Sequence, residues 1–153
     1  MNTVVLGIGQ RYAGDDAVGL VVAARLRAAG VEARTCHDAS DLVELAALFD
    51  RVVVVDAVMV DRAPGEVLDL GPDDLAQSLP SLSSHGLSVI DALGVVRALH
   101  GDAAAERVRV VGVSIVGPPS RGEGLSDAVE AAVEPAVRAV RALLEEAPCT
   151  SRP

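Results

Sequence analysis

The stretch RVVVVDAV, residues 51–58, sets four consecutive valines ahead of a single acid, Asp56. A run that is β-branched and apolar on both faces denotes a strand covered from both sides, and such strands sit in the middle of parallel sheets. Placing this strand centrally decides the rest of the layout. TVVLGI, residues 3–8, reads as a second buried strand, and VEARTC, residues 31–36, as a third.

Between these strands lie alanine- and leucine-rich segments with helical periodicity. In residues 16–30, Val18, Val21, Val22 and Leu26 share one face, and Gly30 follows as a helix stop. Residues 40–49 form a second helical segment with Ser40 as its expected N-cap. Beyond the central strand, APGEVLDL (residues 63–70) reads as a Pro-Gly turn and a short antiparallel edge strand. Then come a helical turn in DDLAQ (73–77), a helix over residues 86–101, a strand over 107–115 and a long helix over 125–147. Pro135 is expected to kink or break that last helix, because it lacks a backbone donor. The βαβαβ order predicts a three-layer α/β fold, a twisted, mostly parallel sheet with helices on both faces. Residues 1–147 are expected to form one domain, with residues 148–153 a frayed, disordered tail.

Composition bounds the function. Half of the 153 residues are hydrophobic, but there is one Tyr, one Phe and no Trp, so Val, Leu, Ile and Ala must build the core. A net charge of −9 and the scarcity of stacking aromatics argue against nucleic acid as a partner. An acidic surface serves solubility and also suits a cationic or metal-bearing partner. Cys36 and Cys149 are the only cysteines and lack CxxC spacing, which points to a reducing cytoplasm. No membrane role is expected. The opening TVVLGI lacks the basic lead of a signal peptide, and VVVVDAVMV is too short to span a bilayer.

The segment GIGQRYAGDDAVG, residues 7–19, has the outline of a phosphate-binding loop: a strand, clustered glycines, a helix. Its content argues otherwise. The third glycine of GxGxxG is replaced by Tyr12, and no GK[ST] follows. Asp15 and Asp16 stand where a phosphate would need the positive end of the helix. No nucleotide or organic cofactor is therefore expected. One aspartate is explained as a helix cap, contributing roughly 1 kcal/mol, and the second is left over. The loop follows a strand, and open α/β sheets place their sites at the carboxyl ends of strands. Asp56 ends its strand on the same side and needs a partner, a metal or a wet cleft.

His85 in SSHGLS, residues 83–88, enters the next helix from a serine-rich loop, but no GxSxG elbow supports a serine hydrolase. His37 and His100 are less well placed. Two aspartates and a histidine at element ends suit a borderline divalent ion such as zinc or nickel. Capping and bracing explain the same residues individually, so spacing alone leaves the alternatives open.

Four segments in order narrow them. VLGIGQRYAGDDAVG, VVVVDAV with APGEV, SSHGLS, and GVSIVGP with GLSDAV together resemble the hydrogenase maturation proteases. The likeness runs from about Val4 to the last helix. It implies an aspartic-type endopeptidase that removes a C-terminal extension from the nickel-loaded large-subunit precursor of a nickel-iron hydrogenase. It also implies that Asp16, Asp56 and His85 meet the precursor's nickel, with Asp16 as the catalytic acid–base group. The chain departs from the family pattern at Gln10, where asparagine is usual, in the turn over residues 36–41, and at Pro119 and Ser120. A relative on the same fold that binds its partner without cutting it is the alternative.

Overall fold

The structure is a computed structural model that describes residues 1–71, 73–74, 86–117, 122 and 124–146. Five strands form one sheet: β1 (Thr3–Ile8), β2 (Ala33–Cys36), β3 (Arg51–Met59), β4 (Val67–Leu70) and β5 (Val108–Ile115). Their order across the sheet is β2-β1-β3-β5-β4. All neighbours are parallel except β4, which runs antiparallel to β5 at one edge. The valine run therefore lies in the central strand, and APGEVLDL supplies the antiparallel edge, as the sequence predicts.

The helices are α1 (Val18–Ala28), α2 (Ser40–Leu48), α3 (Val89–His100), α4 (Asp102–Glu106) and α5 (Asp127–Glu145). Alternation along β3 explains the two apolar faces. Val53 and Val55 join a core with Val18, Val22 and Leu26 of α1 and Val133 and Val140 of α5. Val52 and Val54 join the opposite core, with Leu42 and Leu45 of α2 and Leu93 and Val96 of α3. Successive strand side chains point to opposite faces, so one run of valines nucleates both layers. Each fully buried valine contributes about 1.5–3 kcal/mol, which is how a core almost without aromatics is built. Among the described residues no helix is long and apolar enough to cross a membrane.

The helix ends answer several expectations. Gly30, with φ +88°, ends α1 as predicted. Its N–H bonds Arg27 O at 3.0 Å and Val31 N–H bonds Leu26 O at 3.0 Å, the double bond of a Schellman closure. Ser40 is not the cap of α2. It is the first helical residue, and Asp38 accepts from both its N–H (2.8 Å) and its hydroxyl (2.6 Å). Pro135 does not break α5, which is continuous from Asp127 to Glu145. The buried face formed by Val129, Val133, Val137, Val140 and Leu143 continues through it, and this packing outweighs one absent backbone bond. Asp73 and Asp74 are helical. The rest of the DDLAQ turn and the expected tail, residues 148–153, lie outside the described residues.

Candidate functional site

Strands β1 and β3 are neighbours, with Gly7 opposite Val55, so β1 ends about level with Asp56 while β3 runs on to Met59 against β5. Asp56 therefore lies within its strand and not at its end, because β5 continues the pairing past it. After β1 the chain runs through a loop into a 3₁₀ turn, Gly14–Ala17, and then α1. The glycines of this segment do not mainly serve to turn the chain. Gly7 and Gly9 are not among the glycines with positive φ, whereas Gly14, at φ +55°, is. Gly7 and Gly19 instead provide room. A Cβ on Gly7 would collide with the carbonyl oxygen of Gly19, and one on Gly19 with the carbonyl oxygens of Ile8 and Val55. The start of α1 thus rests directly on the backbones of β1 and β3.

This close seating sets the 3₁₀ turn against β3 and brings Asp16 to Asp56. Burial lifts the Asp56 carboxyl well above the ordinary carboxylate range, and the charge of Asp16 lifts it further, against one lowering bond from the Ala57 N–H. Burial also raises Asp16, partly offset by the Gln10 N–H that donates to its Oδ2 at 3.1 Å. Among the described residues no arginine pairs with either carboxylate. Nor does a third His, Cys, Asp or Glu among them complete a metal-binding group. Two neighbouring acids, Asp56 deeply desolvated and Asp16 partly so, suit two tasks. They can exchange protons at a higher pH than an ordinary carboxylate, or they can receive a positive ion.

Neither aspartate caps the helix it precedes. The N-cap positions of the 3₁₀ turn and of α1 are Ala13 and Ala17, and neither makes a side-chain cap bond. Asp16 turns back to Gln10, while Asp15 accepts from Ser126 N–H at 2.6 Å and Ser126 Oγ–H at 2.8 Å. The two neighbours thus have separate partners, and the capping expectation is corrected for both. Gln10 is anchored in turn, its Nε2 donating to His37 O at 3.2 Å. Its extra methylene, relative to asparagine, is what carries the amide toward the β2 end.

His85 lies outside the described residues. The residues after it, Gly86 and Leu87, stand beside the turn that follows β2: Leu87 O accepts from Ala39 N–H at 2.9 Å, and a Cβ on Gly86 would meet the Asp38 carboxylate. His37 and His100 are both exposed. Sequence reasoning did not single out Asp38 or Ser126, although both carry signals. Asp38 stands two residues before the start of α2, the spacing of an Asx turn, and Ser126 immediately precedes α5.

The [NiFe] hydrogenase maturation protease HybD from Thermococcus kodakarensis superposes with a TM-score of 0.71 at 27% identity, covering 94% of this chain and 99% of that one. The hydrogenase maturating endopeptidase HybD from E. coli gives 0.72 at 28% identity, over 94% and 92% of the two chains. An endopeptidase from Escherichia coli, solved in solution, gives 0.74 at 25% identity over the same shares. A comparison with curated proteins finds no match. The family profile of the hydrogenase maturation proteases matches residues 37–143, and this chain belongs to that family.

Proposed function

We propose that the protein is an endopeptidase of hydrogenase maturation, removing a C-terminal extension from the nickel-loaded large-subunit precursor of a nickel-iron hydrogenase. The observation that carries the proposal is the approach of Asp16 to Asp56 where β1 ends beside β3; each carboxyl is raised and, among the described residues, no arginine pairs with either. Family membership supports the reaction class. A positive ion brought by the partner relieves the repulsion that the fold leaves standing, so the acid pair favours a metal-bearing substrate over an apo one.

In this reading Asp56 and His85 contact the precursor's nickel, and Asp16 is the catalytic group of an aspartic-type reaction. Asp16 takes a proton from water as the water oxygen attacks the scissile carbonyl carbon. The C–N bond then breaks, and the proton passes to the departing amine. The raised position of Asp16 favours this role, since a general base works best with a pKa near the working pH. Docking the nickel at the same place holds the peptide bond beside Asp16, so recognition becomes orientation.

Purified protein incubated with nickel-loaded precursor, nickel-free precursor or the isolated C-terminal peptide should cut only the first, as read by product mass. Cutting of the nickel-free form equal to that of the loaded form would remove nickel from the recognition step. Binding without cutting of any form would make the protein a non-proteolytic relative on this fold.

A further inference from the structure

We infer that Asp15 is a positioning residue for the reaction, a latch that holds the Asp16 loop against α5; the inference rests on the peptidase reading above. The geometry is specific. The Asp15 carboxylate accepts two short bonds from one residue, Ser126, across 111 positions of sequence. Ser126 occupies the N-cap position of α5, yet makes no side-chain bond to its own helix, because its hydroxyl is turned to Asp15. In a capping box the N-cap N–H is satisfied by a Glu or Gln three residues on. Here that position is Val129, which is buried in the core, and Asp15 supplies the missing acceptor from the other end of the chain. The negative charge also stands at the favourable end of the helix dipole.

The latch acts on a loop that is otherwise tied by backbone bonds. Gly14 N–H bonds Gly122 O at 3.0 Å and Gly122 N–H bonds Tyr12 O at 2.9 Å, joining the loop after β1 to the loop after β5. On the other side, Gln10 holds the His37 carbonyl. Asp15 closes the remaining side, one residue from Asp16. A helix anchored in the core by Val129, Val133 and Val137 is a stiff reference, and the charged bonds to Ser126 transfer that stiffness to the loop. Asp15 touches no reacting atom. Its part is to keep the Asp16 carboxylate in the orientation in which it meets Asp56 and the Gln10 N–H.

The test compares Asp15→Ala, Asp15→Asn and Ser126→Ala in the full chain, with two readouts. Against nickel-loaded precursor, Asp15→Ala should lower kcat by about tenfold or more with KM nearly unchanged, the mark of a misplaced group rather than lost binding. Asp15→Asn should recover most of the rate, since its oxygen accepts from the Ser126 N–H and its NH2 donates to the hydroxyl oxygen. Ser126→Ala keeps its N–H and should fall between. The second readout is amide hydrogen exchange. In Asp15→Ala, exchange at Gln10, whose N–H holds Asp16, should quicken while Val53 and Val54 in β3 stay protected. Unchanged exchange at Gln10 overturns the inference, as does equal loss of protection in β3, which would make Asp15 a support of the whole fold. A rise in KM at constant kcat also overturns it. If the wild-type protein cuts no precursor, the peptidase reading fails by itself, and the exchange comparison still decides whether Asp15 positions the loop.

Discussion

Asp16 and Asp56 lie close enough that the charge of the first adds to the burial that lifts the carboxyl of the second. They are separated by 40 positions in sequence, and the 3₁₀ turn that carries Asp16 packs against β3, which carries Asp56. The helix seat made by Gly7 and Gly19 lets the loop come down far enough for the two acids to interact. Their repulsion is a cost to the fold in the free protein, and it can be measured.

Replacing Asp56 by Asn removes that cost. The folded carboxyl titrates above its unfolded value of about 4, so between these two points the folded chain binds more protons than the unfolded one. Stability from this group therefore falls as pH rises from about 4 through the folded value, and levels off above it. Asp56→Asn should be more stable than wild type at pH 7.5, with the difference closing toward pH 4. Thermal melts of both proteins across that range check the sign. A gain that grows toward acid pH would contradict the burial of Asp56.

Asp16→Asn should separate activity from folding. The amide oxygen can still accept from Gln10 N–H, and no helix cap is lost because Asp16 is not one. Stability should stay within about 1 kcal/mol of wild type or improve, and processing of the nickel-loaded precursor should cease. Denaturant unfolding and product mass read the two effects. Normal cleavage by this variant would make the Asp16 carboxylate dispensable.

The helix seat predicts opposite outcomes for two Gly→Ala changes. At Gly19 the new methyl collides with the carbonyl oxygens of Ile8 and Val55, both backbone atoms that cannot swing aside. Forced overpacking of this kind costs about 1–3 kcal/mol or more. At Gly94, within α3, a Cβ meets nothing within 4 Å, and alanine should stabilise by about 0.5–1 kcal/mol. Urea unfolding midpoints of the two variants should move in opposite directions.

Cys36 should be an unreactive thiol. Burial, followed by the charge of Asp41, pushes it up to about 12, and its Sγ–H donates to Asp38 O at 3.1 Å. The thiolate is the reactive form. In a Cys149→Ser protein at pH 8.5, iodoacetamide should label Cys36 at least about a hundredfold more slowly in the native state than in denaturant. Equal rates would show that the β2 end is open.

The order of elements, the central place of the valine run and the antiparallel edge strand were legible in the sequence. They follow from short-range periodicity, and a strand apolar on both faces has one stable place in an α/β sheet. Asp16 was legible as a candidate because it follows a strand end, where sites form in such sheets; Asp56 was marked for the same reason, although its strand runs on to Met59. The division of labour between Asp15 and Asp16 was not legible. Adjacent acids look alike in a string of letters, and only the arrival of Ser126 from 111 positions away gives Asp15 its partner and leaves Asp16 to face Asp56. The purpose of Gly7 and Gly19 was likewise settled by packing, since a glycine needed for space and one needed for a turn are the same residue until a neighbour's backbone comes within reach. Local chemistry therefore determined the elements and their ends. Contacts between distant segments, which no local pattern encodes, decided which acid takes which partner.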